Sequence, residues 1–545
     1  LRYGGGADHQ QKGQRGVGFQ NDLTFTGWEG HTIKTGFKFK DVTLKAFEQQ
    51  PFNPRFSYDY EANLRDGLTA LDDFIPYQVS FAPDYSGRRN VESKNKQYGI
   101  YIQDDWEVTD KLMLNIGLRY DYETSSTFEN YKTPQSVVDA LAGWANINNP
   151  NVDYNWRDYV STGNNRKPFK DAWQPRIGFS YDLFGDQRHV IFGGAGRAYD
   201  RNVFDYLALE TSKFAFPSYT FRFDVPNHPC AVGVDGCFNF DPSFYNRDTL
   251  YALINSVAKP PVEVDLIKND LKVPYSDQFS LGMRNSFKLM GNDWNSSVAL
   301  AYIESHDGIL FTLGNRREDG SFFAPGASFG NAPWGIAPPN SGISNIILAS
   351  NGIETRIGQV LLSLEKPFTK DSPWGVTFAY TYSDAKENRG NSASFDEHYS
   401  FDYPNLDNVA FIPSVGISKH RLVATGIAEY WGLQFSAKLT LATPPGKDGL
   451  NCSRAPGCAA GFFDTYYFDD ARQRQLDIAV QKEWKMSENM KLRVRGDVFN
   501  VTNDHSYVNF NASDRETNAN FGNRINNEIL ANLPRTFKLS FGLSW

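Results

Sequence analysis

The sequence predicts an all-β fold, a transmembrane antiparallel β-barrel. Three observations carry that prediction: apolar and polar residues alternate along the whole chain, connections switch between short and long, and aromatic residues gather at strand ends. Alternation is clearest in KLMLNIGLRYDYE, where Leu112, Leu114, Ile116, Leu118, Tyr120 and Tyr122 share one parity. Asn115, Gly117, Arg119, Asp121 and Glu123 share the other. A strand has a period of two residues, so each set lines its own face. The same pattern starts at Val17, Ile33, Ile177, Phe279, Trp294, Trp374, Leu433, Leu476 and Leu492. By this template there are about fifteen strands of about ten residues each.

The connections alternate with equal regularity. Short ones cover 109–111, 184–189, 288–293, 429–432 and 487–490, and long ones cover 124–171, 200–272, 304–354, 384–415, 443–472 and 503–533. Loops of this size are uncommon inside a compact domain. Six of them at one end suit a barrel of the outer-membrane kind, with short periplasmic turns and long extracellular loops. Aromatic order agrees: Tyr120 and Tyr122 close their strand just before a long loop, and Trp374 opens its strand just after a short connection. Rings at both water–lipid interfaces produce that order, whereas general strand propensity explains the rings without their ends.

Composition narrows the alternatives. The 545 residues include 42 Phe, 28 Tyr and 11 Trp, against a mean hydropathy of -0.50. No apolar run reaches the ~18 residues of a membrane helix, which leaves strand crossings open. A net charge of -8 gives no electrostatic reason for nucleic-acid binding. The four cysteines form two local pairs, Cys230 with Cys237 and Cys452 with Cys458, in Pro/Gly/Asn-rich surroundings without metal-site spacing. They read as small-loop disulfides of an oxidising compartment. The eight histidines are scattered, and GGAG at 193–196 lacks the Lys-Ser/Thr of a phosphate loop. No catalytic constellation, metal set or cofactor follows from the residues, so an enzyme is not expected.

YGIYIQDDWEVTDKLMLNIGLRYDYE and RQLDIAVQKEWKMSENMKLRVRGDVFNVTND resemble the barrel of TonB-dependent outer-membrane receptors. WQPRIGFSYDLFGDQRHVIFGGAGRAYDR and VPYSDQFSLGMRNSF resemble the Oar-like branch of that family. The ending RTFKLSFGLSW, with Phe537, Leu539, Phe541, Leu543 and Trp545 on one parity, is similar to the family's C-terminal assembly signal. The resemblance implies a bacterial outer-membrane location and a barrel of ~22 strands around an N-terminal plug. It also implies a bulky nutrient bound at the extracellular loops, import driven through a TonB complex, and insertion by the barrel-assembly machinery into the lipid bilayer. The sequence departs from the family in showing no plug, no TonB-contacting box and only about fifteen strands. Residues 1–545 are therefore expected to be the C-terminal part of a larger barrel, with plug and first strands supplied by another chain or segment. The alternative function is a passive, structural or adhesive barrel that binds a surface partner without import.

Arg119, Asp121, Arg176, Arg493, Arg495 and Lys538, with Asp182 and Asp497, fall on the lumen-facing parity. They would hold a plug or line a substrate path, or be the ordinary polar lining of a water-filled barrel. GWANINNPNVDYNWRDY (143–159) and GFFDTYYFDDAR (461–472) mix rings with Asn and Asp, which suits sugar or peptide contact through Trp144, Tyr154, Trp156, Tyr466 and Tyr467. Self-packed outer loops have the same composition.

Overall fold

The computed structural model describes residues 9–49, 53–68, 73–82, 90–201, 207, 209–211, 213, 218–326, 332–388, 403–407, 409–451, 462–512, 519–525 and 529–545. Fifteen strands follow one another, each antiparallel to the next, through one seventeen-stranded sheet that also takes in Ile412–Pro413 and, as a parallel neighbour, Val262–Ile267. The first five are β1 (His9–Phe25), β2 (His31–Gln49), β3 (Asn90–Thr109), β4 (Leu112–Ser125) and β5 (Trp173–Asp182). Next come β6 (His189–Tyr199), β7 (Tyr275–Leu289), β8 (Asn292–Leu313), β9 (Ile343–Lys366) and β10 (Trp374–Glu387). The last are β11 (His420–Tyr430), β12 (Leu433–Ala442), β13 (Gln473–Lys485), β14 (Lys491–Phe499) and β15 (Thr536–Ser544). Each pairs with its neighbour in sequence. Among the described residues no pairing joins β1 to β15, so the sheet is open at these two edges.

Short and long connections alternate without exception. The short ones are 26–30, 110–111, 183–188, 290–291, 367–373, 431–432 and 486–490. In the two-residue loops Met290-Gly291 and Trp431-Gly432 both residues take positive φ, the geometry whose twist matches the flanking strands. The long ones number seven, because 50–89 joins the six expected from sequence. The expected loop 304–354 is largely strand: β8 continues to Leu313 and β9 begins at Ile343, with a register shift near Gly308.

One face of the sheet is an exposed apolar belt: Val17, Phe19, Ile100, Ile102, Ile177, Leu281, Leu300, Leu362, Phe378 and Ile478 project from it. At the short-turn end the belt finishes in tryptophan, with the rings of Trp294 and Trp374 6.2 Å apart and Trp106 stacked on His31. At the long-loop end it finishes in Tyr98, Tyr122, Tyr120 beside Trp173, and Tyr380. A lipid-spanning sheet needs this arrangement, because amphipathic rings are most stable at the headgroup level. Gly193 and Gly194 allow β5, β6 and β7 to approach closely: a Cβ at Gly194 would lie 2.9 Å from the Ile177 carbonyl oxygen.

The long loops fold against one another. Segments Arg55–Ser57, Gln78–Phe81, Tyr219–Phe223 and Cys237–Phe238 make a separate four-stranded sheet from two loops. Its core is Val79, Phe81, Phe221, Phe223 and Leu250. The helix Gln135–Gly143 seats Val137 and Leu141 against Ile343, Ile346 and Leu348 of β9 and Val264 and Leu266 of a strand running beside it.

Candidate functional site

The face opposite the apolar belt is polar, and alternation alone puts its charges there. Lys34 pairs with Asp105 at 2.6 Å, and Gln103 and Asn115 also donate to that carboxylate. Arg119 pairs with Asp121 at 2.6 Å, two residues along the same strand face. Gln174 donates to Asp121 from the neighbouring strand, and the Arg176 side chain fills the space left by Gly117. Asp182, expected in this lining, instead turns back: its carboxylate accepts backbone N–H bonds from Gly185 and Gln187 and shapes the 183–188 turn.

At the β15 edge the polar face is cationic. Arg493, Arg495 and Lys538 line a cavity of about 380 Å³ together with Gln481, Asp497 and Ser540. Asp497 is bound by Arg495 at 2.8 Å, which leaves Arg493 and Lys538 without an ion-pair partner among the described residues. The Arg493 guanidinium lies over Gly542, its partner in the ladder, 3.5 Å from where a Cβ would stand. Such a surface is complementary in charge to carboxylate or phosphate groups.

The long loops that follow β4, β6 and β8 are held by two buried arginines. Arg166 makes a two-pronged contact with Glu210, at 2.6 and 2.8 Å, and donates to the Ile267 carbonyl at 2.7 Å. Arg316 binds Asp153 at 2.7 Å and lies over the rings of Tyr154 and Phe322. Burial raises the phenol of Tyr154 above its ordinary range and pushes that of Tyr159 up to about 12. Nothing in the loop pattern marked Arg166, Glu210 or Arg316: Arg166 and Arg316 stand beside other charges in NNRK and NRRED, and Glu210 follows the apolar LAL.

The rings proposed from sequence for ligand contact divide. Trp144 and Trp156 are 3% and 5% exposed inside the loop core, and the Trp156 indole donates to Asn148. The Tyr154 hydroxyl donates to the Gly314 carbonyl at 2.6 Å. These three serve the loops' own packing, the alternative their composition left open. Tyr467 is exposed, while Tyr466 packs edge-on against Phe521. Cys230 and Cys237 form a disulfide within the small loop sheet, and Cys452 and Cys458 lie outside the described residues. Phe537, Leu539, Phe541, Leu543 and Trp545 all project outward from the edge strand. Glu304, His306 and Glu354 bring ligand-type atoms within 4.8 Å of one another, but Arg356 bonds to both carboxylates.

A family model described as "Outer membrane beta barrel domain" matches residues 1–433. No curated protein matches the sequence significantly. Among solved structures, the outer membrane transporter YddB from Escherichia coli aligns over 98% of this chain and 54% of its own, at 13% identity and a TM-score of 0.51. The FpvAI–pyocin S2 complex aligns over 98% and 50%, at 12% identity and a TM-score of 0.50. The chain thus spans about half the length of the solved structures it matches. At these identities the likeness establishes the fold.

Proposed function

Because this chain belongs to the outer membrane beta barrel domain family, we propose that it is the barrel portion of a TonB-dependent receptor in the bacterial outer membrane, importing a bulky nutrient. Within that family the motifs quoted above favour the Oar-like branch. On this reading the open edges at β1 and β15 are closed by further strands of a larger barrel, because unpaired edges are not tolerated in lipid. A plug fills the lumen, and the TonB complex supplies the energy through it.

The observation that carries the proposal is a sheet with an apolar belt on one face and a charged wall on the other, whose long connections all leave at one end and pack into buried cores of their own. The solved YddB, a transporter by its description, shares the sheet. Binding and passage, rather than bond-making, is what such a surface offers. The test compares nutrient depletion from defined medium, followed by mass spectrometry, in strains with and without the full-length gene. The same comparison is then made with TonB disrupted. Depletion that needs both supports import. Depletion that persists without TonB, or surface binding with no depletion, supports the passive or adhesive barrel instead.

A further inference from the structure

A second cavity, of about 340 Å³, opens on the outer surface where the apolar belt meets the long loops. The ladder shows how it arises. Tyr380, Leu422, Leu441 and Arg474 are register partners across β10, β11, β12 and β13, so they form one cross-strand row. The row below it, Phe378, Ala424, Leu439 and Leu476, is wholly apolar. Within one residue pair along β13 the membrane face therefore changes from aliphatic to guanidinium.

Above the row stand His420, whose ring meets the Tyr380 hydroxyl at 2.8 Å, and Arg472 from the connection into β13. Pro444 completes the rim, and a single carboxylate, Asp469, lines the cavity against the guanidinium groups of Arg472 and Arg474. Neither Arg472 nor Arg474 has an ion-pair partner among the described residues. An apolar floor at lipid depth under unpaired cations at headgroup depth is complementary to one kind of molecule, an anionic lipid. Long loops mark the extracellular side, where the outer leaflet is built of phosphorylated glycolipid.

We infer that this cavity is a binding site for the outer-leaflet lipopolysaccharide: Arg472 and Arg474 hold a glucosamine phosphate of its lipid A, and an acyl chain lies along Leu422 and Leu441. Arginine suits this role because its planar fork donates two parallel bonds to a phosphate. The tyrosine beneath separates head from chain. Nutrient import does not require the site; its function is to seat the barrel among particular lipids.

The experiment uses the full-length receptor, folded in detergent, with purified bis-phosphorylated lipid A as probe and native mass spectrometry as readout. The expected result is one retained lipid A per chain, weakened about tenfold or more by the double change Arg472→Gln/Arg474→Gln. Leu441→Trp, which fills the floor and leaves the cations, gives a comparable loss. Heat-modifiable migration checks folding of each variant, and where the double variant does not fold, Leu441→Trp decides. Retention unchanged in the folded variants overturns the proposal. So does equal binding of dephosphorylated lipid A or of phosphatidylglycerol, and so does full displacement by millimolar inorganic phosphate.

Discussion

Arg166 and Glu210 face each other with both side chains buried, Nη1 at 2.6 Å from one carboxylate oxygen and Nη2 at 2.8 Å from the other. They come from different long loops, and the same guanidinium lies 4.5 Å over the Phe128 ring while the carboxylate accepts the Ile267 N–H. The pair is therefore a joint between loops. Glu210→Gln leaves a buried guanidinium without its counter-charge, a loss of about 3–5 kcal/mol. Hydrogen exchange should speed up at 126–172 and 262–267 while heat-modifiable migration of the barrel stays as in the parent. The double change Arg166→Met/Glu210→Leu should recover much of the protection, because it removes both charges at once. Equal exchange in Glu210→Gln and the parent would mean that the joint carries no stability.

The Cys230–Cys237 disulfide closes a loop with a sequence separation of 7, between the third and fourth strands of the small loop sheet. A cross-link over so short a loop restricts the unfolded chain by about 2.5 kcal/mol. Cys230→Ser/Cys237→Ser should therefore open the sheet around Tyr219–Phe223 to protease and leave the barrel intact. Cleavage at the parent rate is the contrary result.

Asp59 caps the helix Tyr60–Arg65 by accepting the Ala62 N–H at 2.9 Å, and it meets His228 at 3.0 Å. The backbone N–H, foremost, and then His228 hold its carboxyl below the usual carboxylate range. A group whose folded pKa is depressed contributes stability above its unfolded value, and that contribution is lost as pH falls through the folded one. The loop sheet should thus loosen as acid is added below about pH 4. Asp59→Asn, which keeps an acceptor without the charge, should flatten that dependence in proteolysis between pH 3 and 6. An unaltered acid profile in the variant would sink the assignment.

How much of this was legible follows from how far apart the contributing residues lie. The barrel strands were readable because each carries its own signal, as Leu112 to Tyr122 do in eleven consecutive residues. The loop cap was not, since Leu141 finds its partners at Ile346 and Leu348, some two hundred positions later. A period-two pattern also cannot say where a membrane strand ends and its extracellular continuation begins, which is why β8 and β9 outran the expected loop boundaries. Trp144 and Trp156 show the limit for sites: rings among Asn and Asp have one composition whether they meet a ligand or each other. Only the partners distinguish the cases, and here the Trp156 partner is Asn148 of its own loop.

The C-terminal strand offers a test in which position alone decides the outcome. Phe541 is 70% exposed on the apolar face of β15, opposite Val494, while its neighbour Ser540 faces the polar cavity opposite Arg495. An arginine on a lipid-facing site near mid-bilayer costs roughly 2–4 kcal/mol, and one on the lumen side far less. Phe541→Arg should therefore abolish heat-modifiable barrel in outer-membrane fractions. Ser540→Glu should assemble normally, because it adds a counter-charge for Arg493 and Lys538. Trp545→Ala should reduce the yield of assembled protein without changing its stability once inserted, if the terminal ring acts during assembly. Assembly of Phe541→Arg at the level of Ser540→Glu would show that the apolar face of β15 does not meet lipid.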